Sequence, residues 1–147
     1  MIARAELESL VPHAGTMCLL DSVMQWDAQR ITAQTLGHRR YDNPLRNADG
    51  RITALHLIEY GAQAMAVHGG LLARQQGGSA LPGYLASARS VKLQTQYIDD
   101  ISEPLTLQAE MLSAGDGGWQ YRFSASADDR ELASGRVAVI LMPQDDV

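Results

Sequence analysis

The sequence predicts an α+β chain in which an antiparallel sheet wraps around one long central helix. Three observations carry this expectation. One stretch alone, Ala54 to Arg74, keeps the helical apolar period over several turns. The segments on either side alternate, or run apolar, in the manner of strands. The helix is also built from small residues, Ala54, Gly61, Ala62, Ala64, Ala66, Gly69, Gly70 and Ala73, which let a curved sheet come close. The 147 residues fit a single domain, residues 1–147, and a chain of that length buries about 70% of its unfolded surface.

Taken in order, Ala3 to Leu10 reads as a short helix with Leu7 and Leu10 on one side, stopped by the Val11-Pro12-His13-Ala14-Gly15 turn. Met17 to Asp27 and Arg30 to Leu36 read as a strand hairpin around Asp27-Ala28-Gln29. In the second strand Ile31, Ala33 and Thr35 alternate with Thr32, Gln34 and Leu36. Gly37 to Thr53 has turn residues and no apolar period, so it is a long loop, and a loop this long is a candidate site. The helix follows, with Thr53 placed to cap it. Its expected apolar face is Leu55, Ile58, Ala62, Met65, Ala66, Gly69 and Leu72. After a polar break at Gln75 to Ser79, four strands are expected at Tyr84 to Gln96, Pro104 to Ser113, Trp119 to Ala127 and Glu131 to Met142. Gly115-Asp116-Gly117-Gly118 and Asp128-Asp129 supply turns.

Composition narrows the function. The formal net charge is −5, and a single lysine, Lys92, stands against 11 arginines. Such a chain offers no basic field for a phosphate backbone, so no nucleic-acid partner is expected. One cysteine, Cys18, cannot form an intrachain disulfide and has no neighbour for a metal site. Charges interrupt the first residues where a signal peptide needs an apolar core, and no uncharged run reaches the roughly 18 residues of a membrane span. A cytoplasmic protein is expected. No P-loop, dinucleotide glycine fingerprint or Gly-x-Ser-x-Gly occurs, which disfavours NTPase, dehydrogenase and serine hydrolase chemistry.

Two side chains stand out. Glu59 lies in the second turn of the helix at the margin of the apolar face. A carboxylate there is hydrogen-bonded, paired or protonated and so fit for general-acid work, or it simply turns to water near the positive end of the helix. Gln63, one turn on, shares that face and is placed to orient Glu59. His38 opens the long loop at a strand end, where an imidazole serves either as a base near neutral pH or as an ordinary surface residue. His56 and His68 are 12 residues apart and cannot make the i, i+4 pair of a helical metal site; His13 reads as a turn residue. Arg39, Arg40, Arg46 and Arg51 gather in the loop on an otherwise acidic chain. They read equally as a docking patch for an acidic protein or as scattered solubilising charge.

These pieces resemble a known family. Pro12-His13 with Leu19-Leu20-Asp21-Ser22-Val23, Gly37-His38 with Asn43-Pro44, Glu59-Tyr60-Gly61-Ala62-Gln63-Ala64, and Ala88-Arg89-Ser90-Val91-Lys92 are similar to the signatures of the hotdog-fold 3-hydroxyacyl-acyl-carrier-protein dehydratases. Within that family the run Ile58 to Gly69 and the Asn43-Pro44-Leu45-Arg46 segment most resemble the dehydratase-like subunit of aryl polyene biosynthesis clusters. The resemblance implies a hotdog fold and elimination of water from a 3-hydroxyacyl thioester. His38 would then be the base and Glu59 the acid, with the amides near Ala54 and Leu55 polarising the carbonyl and Gln63, Arg39 and Arg40 binding substrate or carrier. It further implies no metal or redox cofactor, an acyl carrier protein as partner, and a homodimer or heterodimer in which His and acid come from different protomers. A non-catalytic hotdog partner subunit and an acyl thioesterase are the competing expectations. His38 and Glu59 are 21 residues apart, through a loop longer than the family pattern.

Overall fold

Alternation of apolar and polar residues along successive strands builds one seven-stranded antiparallel sheet. The structure is a computed structural model that describes residues 1–10, 18–78, 83–115 and 117–141, with the backbone alone for 83–86 and 141. The strands are β1 (Ile2–Ala3), β2 (Ser22–Trp26), β3 (Arg30–Thr35), β4 (Gly83–Leu93), β5 (Leu105–Gly115), β6 (Gly118–Ala127) and β7 (Arg130–Leu141). They lie in the order β1-β2-β3-β5-β6-β7-β4, so β4 is a long edge strand. The helices are α1 (Arg4–Leu7) and α2 (Leu57–Gln75), with 3-10 turns at Gly37–Arg39 and Ala54–His56.

Cross-strand register explains which face is inside. Ile31, Ala109, Phe123 and Gly135 form one row, and Ala33, Leu107, Ala125 and Ala133 the next. All of these are buried, and α2 packs against this side through β3, β5 and β6. A Cβ built on Gly61 would stand 3.0–3.1 Å from Phe123 ring atoms, and one on Gly69 would overlap the Trp119 ring. Glycine at these two positions therefore sets how deeply the helix sinks into the sheet. This is the expected hotdog architecture: one long helix held in the curve of an antiparallel sheet.

Several details differ from the sequence expectation. The buried stripe of α2 runs through Leu57, Tyr60, Gly61, Ala64, Val67, His68 and Leu71, not along the expected face. Of that face Met65 and Gly69 are buried, Ile58, Ala62, Ala66 and Leu72 are half-buried, and Leu55 is 57% exposed. The helix is apolar nearly all round, so periodicity alone could not choose its phase. Thr53 occupies the N-cap position but its side chain makes no capping bond; its backbone bridges Tyr97 instead. Cys18–Leu20 are buried yet outside β2, which starts at Ser22. Strand β1 is two residues long, below what alternation can reveal. The Val11 to Gly15 turn, Met17, Ser79, Asp116, Met142 and the C-terminal residues lie outside the described residues.

The buried His68 ties α2 to the β2–β3 hairpin. Its Nε2–H donates to the Asp27 carbonyl (2.8 Å), and its Nδ1 accepts from the Tyr121 hydroxyl (2.8 Å). Asp27 closes that turn through its carboxylate, which accepts from the Gln29 and Arg30 N–H groups. Burial lowers the His68 pKa from its ordinary value, against the opposing pull of the Asp27 carbonyl.

Two measurements test this packing. Gly61→Leu is expected to cost about 1–3 kcal/mol of stability by overpacking, and Ala62→Leu, one residue along on the half-buried side, less than half as much in the same urea titration. Equal costs would contradict the phase assigned to α2. Because folding holds His68 neutral, the unfolded chain binds more protons once pH falls below the ordinary histidine value of about 6.5. Its contribution to stability is present above that pH and is lost as pH falls toward the lowered folded value. The melting temperature should therefore drop between pH 7 and pH 5, and less steeply in His68→Gln; an unchanged slope in that variant would contradict a buried neutral His68.

Candidate active site

The long loop is held in place by the connection between β4 and β5. Ile98 N–H donates to the Ile52 carbonyl (3.0 Å) and Ala54 N–H to the Gln96 carbonyl (2.9 Å), on either side of the Thr53–Tyr97 bridge. Asp99 accepts from the Ile52 N–H (2.9 Å) and from Arg51 Nε (2.9 and 3.1 Å), while the Arg51 guanidinium lies 3.9 Å over the Tyr97 ring. Burial alone would raise the Asp99 pKa, but these bonds outweigh it and hold the carboxyl below its usual range. Asn47 and Gly50, at φ +78°, make the turn that returns the chain to Ile52. A loop that composition alone marks as irregular is thus laced to a second segment where it enters the helix.

His38 sits at the start of this loop and is fully buried. Its Nε2 lies 2.8 Å from the Ile101 carbonyl, an atom that only accepts, so Nε2 carries the proton and Nδ1 the lone pair. That Nδ1 is buried without a hydrogen-bond partner. Burial lowers the pKa from the ordinary histidine value; the Ile101 bond opposes this, and the Arg39 and Arg46 charges add to it. The side chain is therefore a neutral imidazole with an unsatisfied basic nitrogen. Buried acceptors are normally satisfied, and an exception beside a long loop points to a group that receives a proton from elsewhere.

Glu59 is placed differently. It is about half exposed (49% of the side chain) and its Oε1 is 3.0 Å from Nδ1 of His56, in the 3-10 turn that leads into α2. Among the described residues no hydrogen bond joins it to His38. Gln63 is buried, and its Oε1 accepts from the Leu19 N–H (2.8 Å), so it fastens α2 to the segment before β2. Of the two amides expected to polarise a carbonyl, that of Ala54 is already committed to Gln96. Leu55 N–H lies in the first turn, where a helix leaves its donors without intrahelical acceptors.

The loop arginines have structural work. Arg39 donates to the Asp99 carbonyl (2.9 Å), and Arg40 pairs with Asp21 (2.7 Å). Arg46 reaches three carbonyls, those of Arg40, Gly50 and, at 3.3 Å, His38 itself. Two residues that sequence reasoning left without a role complete the frame. Asp21 accepts from Arg4, Arg40, the Thr35 hydroxyl and the Leu36 N–H, locking the end of β3 just before His38. Asn43 donates to the Gly37 carbonyl (2.9 Å) and to the Tyr60 hydroxyl (3.2 Å). Burial then pushes the Tyr60 pKa up to about 12, so the phenol stays protonated. The available signals were an aspartate inside the apolar run Cys18 to Val23 and, for Asn43, only its place in the Asn43-Pro44 motif, which gave neither residue a role.

A search of the curated proteins gives no match. Among solved structures the chain is similar to the dehydratase heterocomplex ApeI:P from Xenorhabdus doucetiae, at 22% identity and a TM-score of 0.84 over 94% of this chain and 91% of that one. AziG from S. sahachiroi is similar at 15% identity and a TM-score of 0.61, over 92% and 99% of the two chains. A hypothetical thioesterase with coenzyme A from Streptococcus pneumoniae TIGR4 follows at 13% identity and 0.59, over 85% and 88%. At these identities the likenesses establish the fold. The family model for the ApeP dehydratase matches residues 5–146, a span that takes in the whole laced loop, His38 and α2, and the chain therefore belongs to the ApeP-like dehydratase family.

Proposed function

We propose that this chain is one subunit of a two-subunit hotdog dehydratase acting in the cytoplasm. Its reaction removes water from a 3-hydroxyacyl group carried as a thioester on an acyl carrier protein. The product is the trans-2-enoyl thioester, as in aryl polyene or fatty-acid-like biosynthesis. The observation that carries the reading is the buried, unpartnered Nδ1 of His38, left with the lone pair because the Ile101 carbonyl holds the proton on Nε2. In this reading Nδ1 takes the proton from C2, the C3–O bond breaks, and a carboxylic acid from the facing subunit supplies the proton that lets the hydroxyl leave as water, while Glu59 is the acid of the site it forms with the facing subunit's base. The imidazolium and the carboxylate then exchange the proton back through solvent, which closes the cycle. The Leu55 amide, at the positive end of α2, is the donor available to the thioester oxygen as negative charge builds there.

Two observations support a second hotdog subunit. His38 is buried while Glu59 is turned outward, so the acid is presented to something beside the chain rather than to its own His38. Next to Glu59, α2 and the 3-10 turn before it carry a second apolar stripe, with Leu55 exposed and Ile58, Ala62 and Ala66 half-buried, which a partner would cover. The similar chain from Xenorhabdus doucetiae comes from a heterocomplex. Among the described residues no helix is long and apolar enough to cross a membrane.

The test is enoyl formation from a 3-hydroxyacyl carrier substrate by the purified chain, alone and mixed with its hotdog partner. His38→Ala and Glu59→Gln should each disable one of the two shared sites and lower turnover of the mixture by about half, and the double variant should lower it by about 10²- to 10⁴-fold, while leaving the melting temperature near that of the unaltered chain. Full turnover in all three variants with the partner present would instead make this chain a non-catalytic supporting subunit. The pH profile supplies an independent check. Activity needs neutral His38, so the acidic limb of kcat/KM should turn over below the ordinary histidine value of about 6.5, in the direction burial shifts the group. A limb at or above that value would remove His38 as the base.

A further inference from the structure

The outer face of the sheet carries a line of arginines that the site does not use. Cross-strand pairing places Arg30 opposite Glu110, Glu110 opposite Arg122, Arg122 opposite Arg136 and Arg136 opposite Arg89. Four guanidinium groups and one carboxylate thus form a single row across β3, β5, β6, β7 and β4. Glu110 answers two of them, Arg30 at 3.0 Å and Arg122 at 3.4 Å. Arg136 and Arg89 are exposed, stand opposite each other, and meet no carboxylate among the described residues. Directly opposed like charges destabilise a sheet. A sequence selected for stability alone would place an acid at position 136, between Arg122 and Arg89.

We propose that this row is the docking surface for an acidic protein, and that its occupant is the acyl carrier protein. Charge complementarity selects the class of partner. The chain as a whole has a net charge of −5, so the row is a local exception to an acidic surface. The arginines of the long loop are committed to Asp21, Asp99 and backbone carbonyls, and the less encumbered cations lie on the sheet. Five strands set the outermost charges about 19 Å apart, the length of a helix of about 13 residues. A carboxylate-lined helix of a small acidic protein therefore fits along the row. The neighbouring row, Thr32, Gln108, Ser124 and Ser134, is able to hydrogen-bond and ends on β4 at the exposed Lys92, which adds one cation beside Arg89. A nucleic-acid backbone would require a wider basic field than this acidic chain provides.

The choice of carrier rests on the function proposed above, so binding and chemistry are measured separately. Carrier protein bearing no acyl group is titrated calorimetrically into the full chain, in complex with its hotdog partner where that forms. Binding is expected, weakening as salt is raised. Arg136→Glu should reduce affinity by about tenfold or more while its melting temperature equals or exceeds that of the unaltered chain, since the new carboxylate would sit between two guanidiniums. Arg89→Gln should reduce affinity by a smaller factor, and enoyl formation from a small 3-hydroxyacyl thioester should stay unchanged in both. Affinity unchanged in Arg136→Glu and Arg89→Gln, no carrier binding by the unaltered chain, or tighter binding of double-stranded DNA than of the carrier would each overturn the assignment. Loss of turnover on the small thioester with carrier binding intact would count against the proposed reaction and leave the docking surface standing.

Discussion

The site rests on the hydrogen bond from His38 Nε2–H to the Ile101 carbonyl. A buried imidazole cannot leave both nitrogens unmet without a large desolvation cost, and a carbonyl partner decides which nitrogen keeps the proton. That partner comes from the segment between β4 and β5, some sixty residues away in sequence. Its position is therefore a tertiary property, secured by the Asp99 bonds to Ile52 and Arg51, by the Thr53–Tyr97 bridge and by the Ile98 and Ala54 amides. The other end of the loop is fixed by Asp21 and Asn43. Between these two anchors the chain has little freedom to place His38 elsewhere, which is how a loop this long holds a buried side chain.

Much of the fold was legible in the sequence because its signals are local. The helix from Ala54 onward, the β2–β3 hairpin around Asp27 and the last three strands all follow from period and turn chemistry, and each appears within a few residues of its expected place. The phase of α2 was not legible. A helix with alanine, glycine or leucine on every side has no unique apolar face, and the depth permitted at Gly61 and Gly69 decides which side turns inward. The arginines carry a similar ambiguity. Four in one loop suggest a patch by sequence, but guanidinium groups also satisfy loop carbonyls, and Arg39 and Arg46 are spent that way. Conversely, Arg30, Arg89, Arg122 and Arg136 are scattered along the chain and become a row only through strand register.

The candidate site was legible by residue type and not by arrangement. His38 and Glu59 were identifiable from their places at a strand end and a helix margin, yet they are not bonded to each other within the chain. One is sealed beneath the loop; the other faces outward beside His56 and an apolar stripe of α2. In the proposed reading, the separation of base from acid and the apolar helix surface next to Glu59 are completed by another subunit. Asp21 and Asn43 never touch a substrate in this account. They act on backbone carbonyls and amides around His38, and such contacts leave no pattern in spacing.

The central claim is that the fold holds His38 as a neutral base with its lone pair on Nδ1. It is tested most directly by long-range proton–nitrogen NMR of the histidine side chains in the full chain at pH 7, with His38→Ala to assign the resonances. The account predicts a neutral ring protonated at Nε2, with an unprotonated Nδ1 shift. A proton on Nδ1, or a charged imidazolium at that pH, would contradict it.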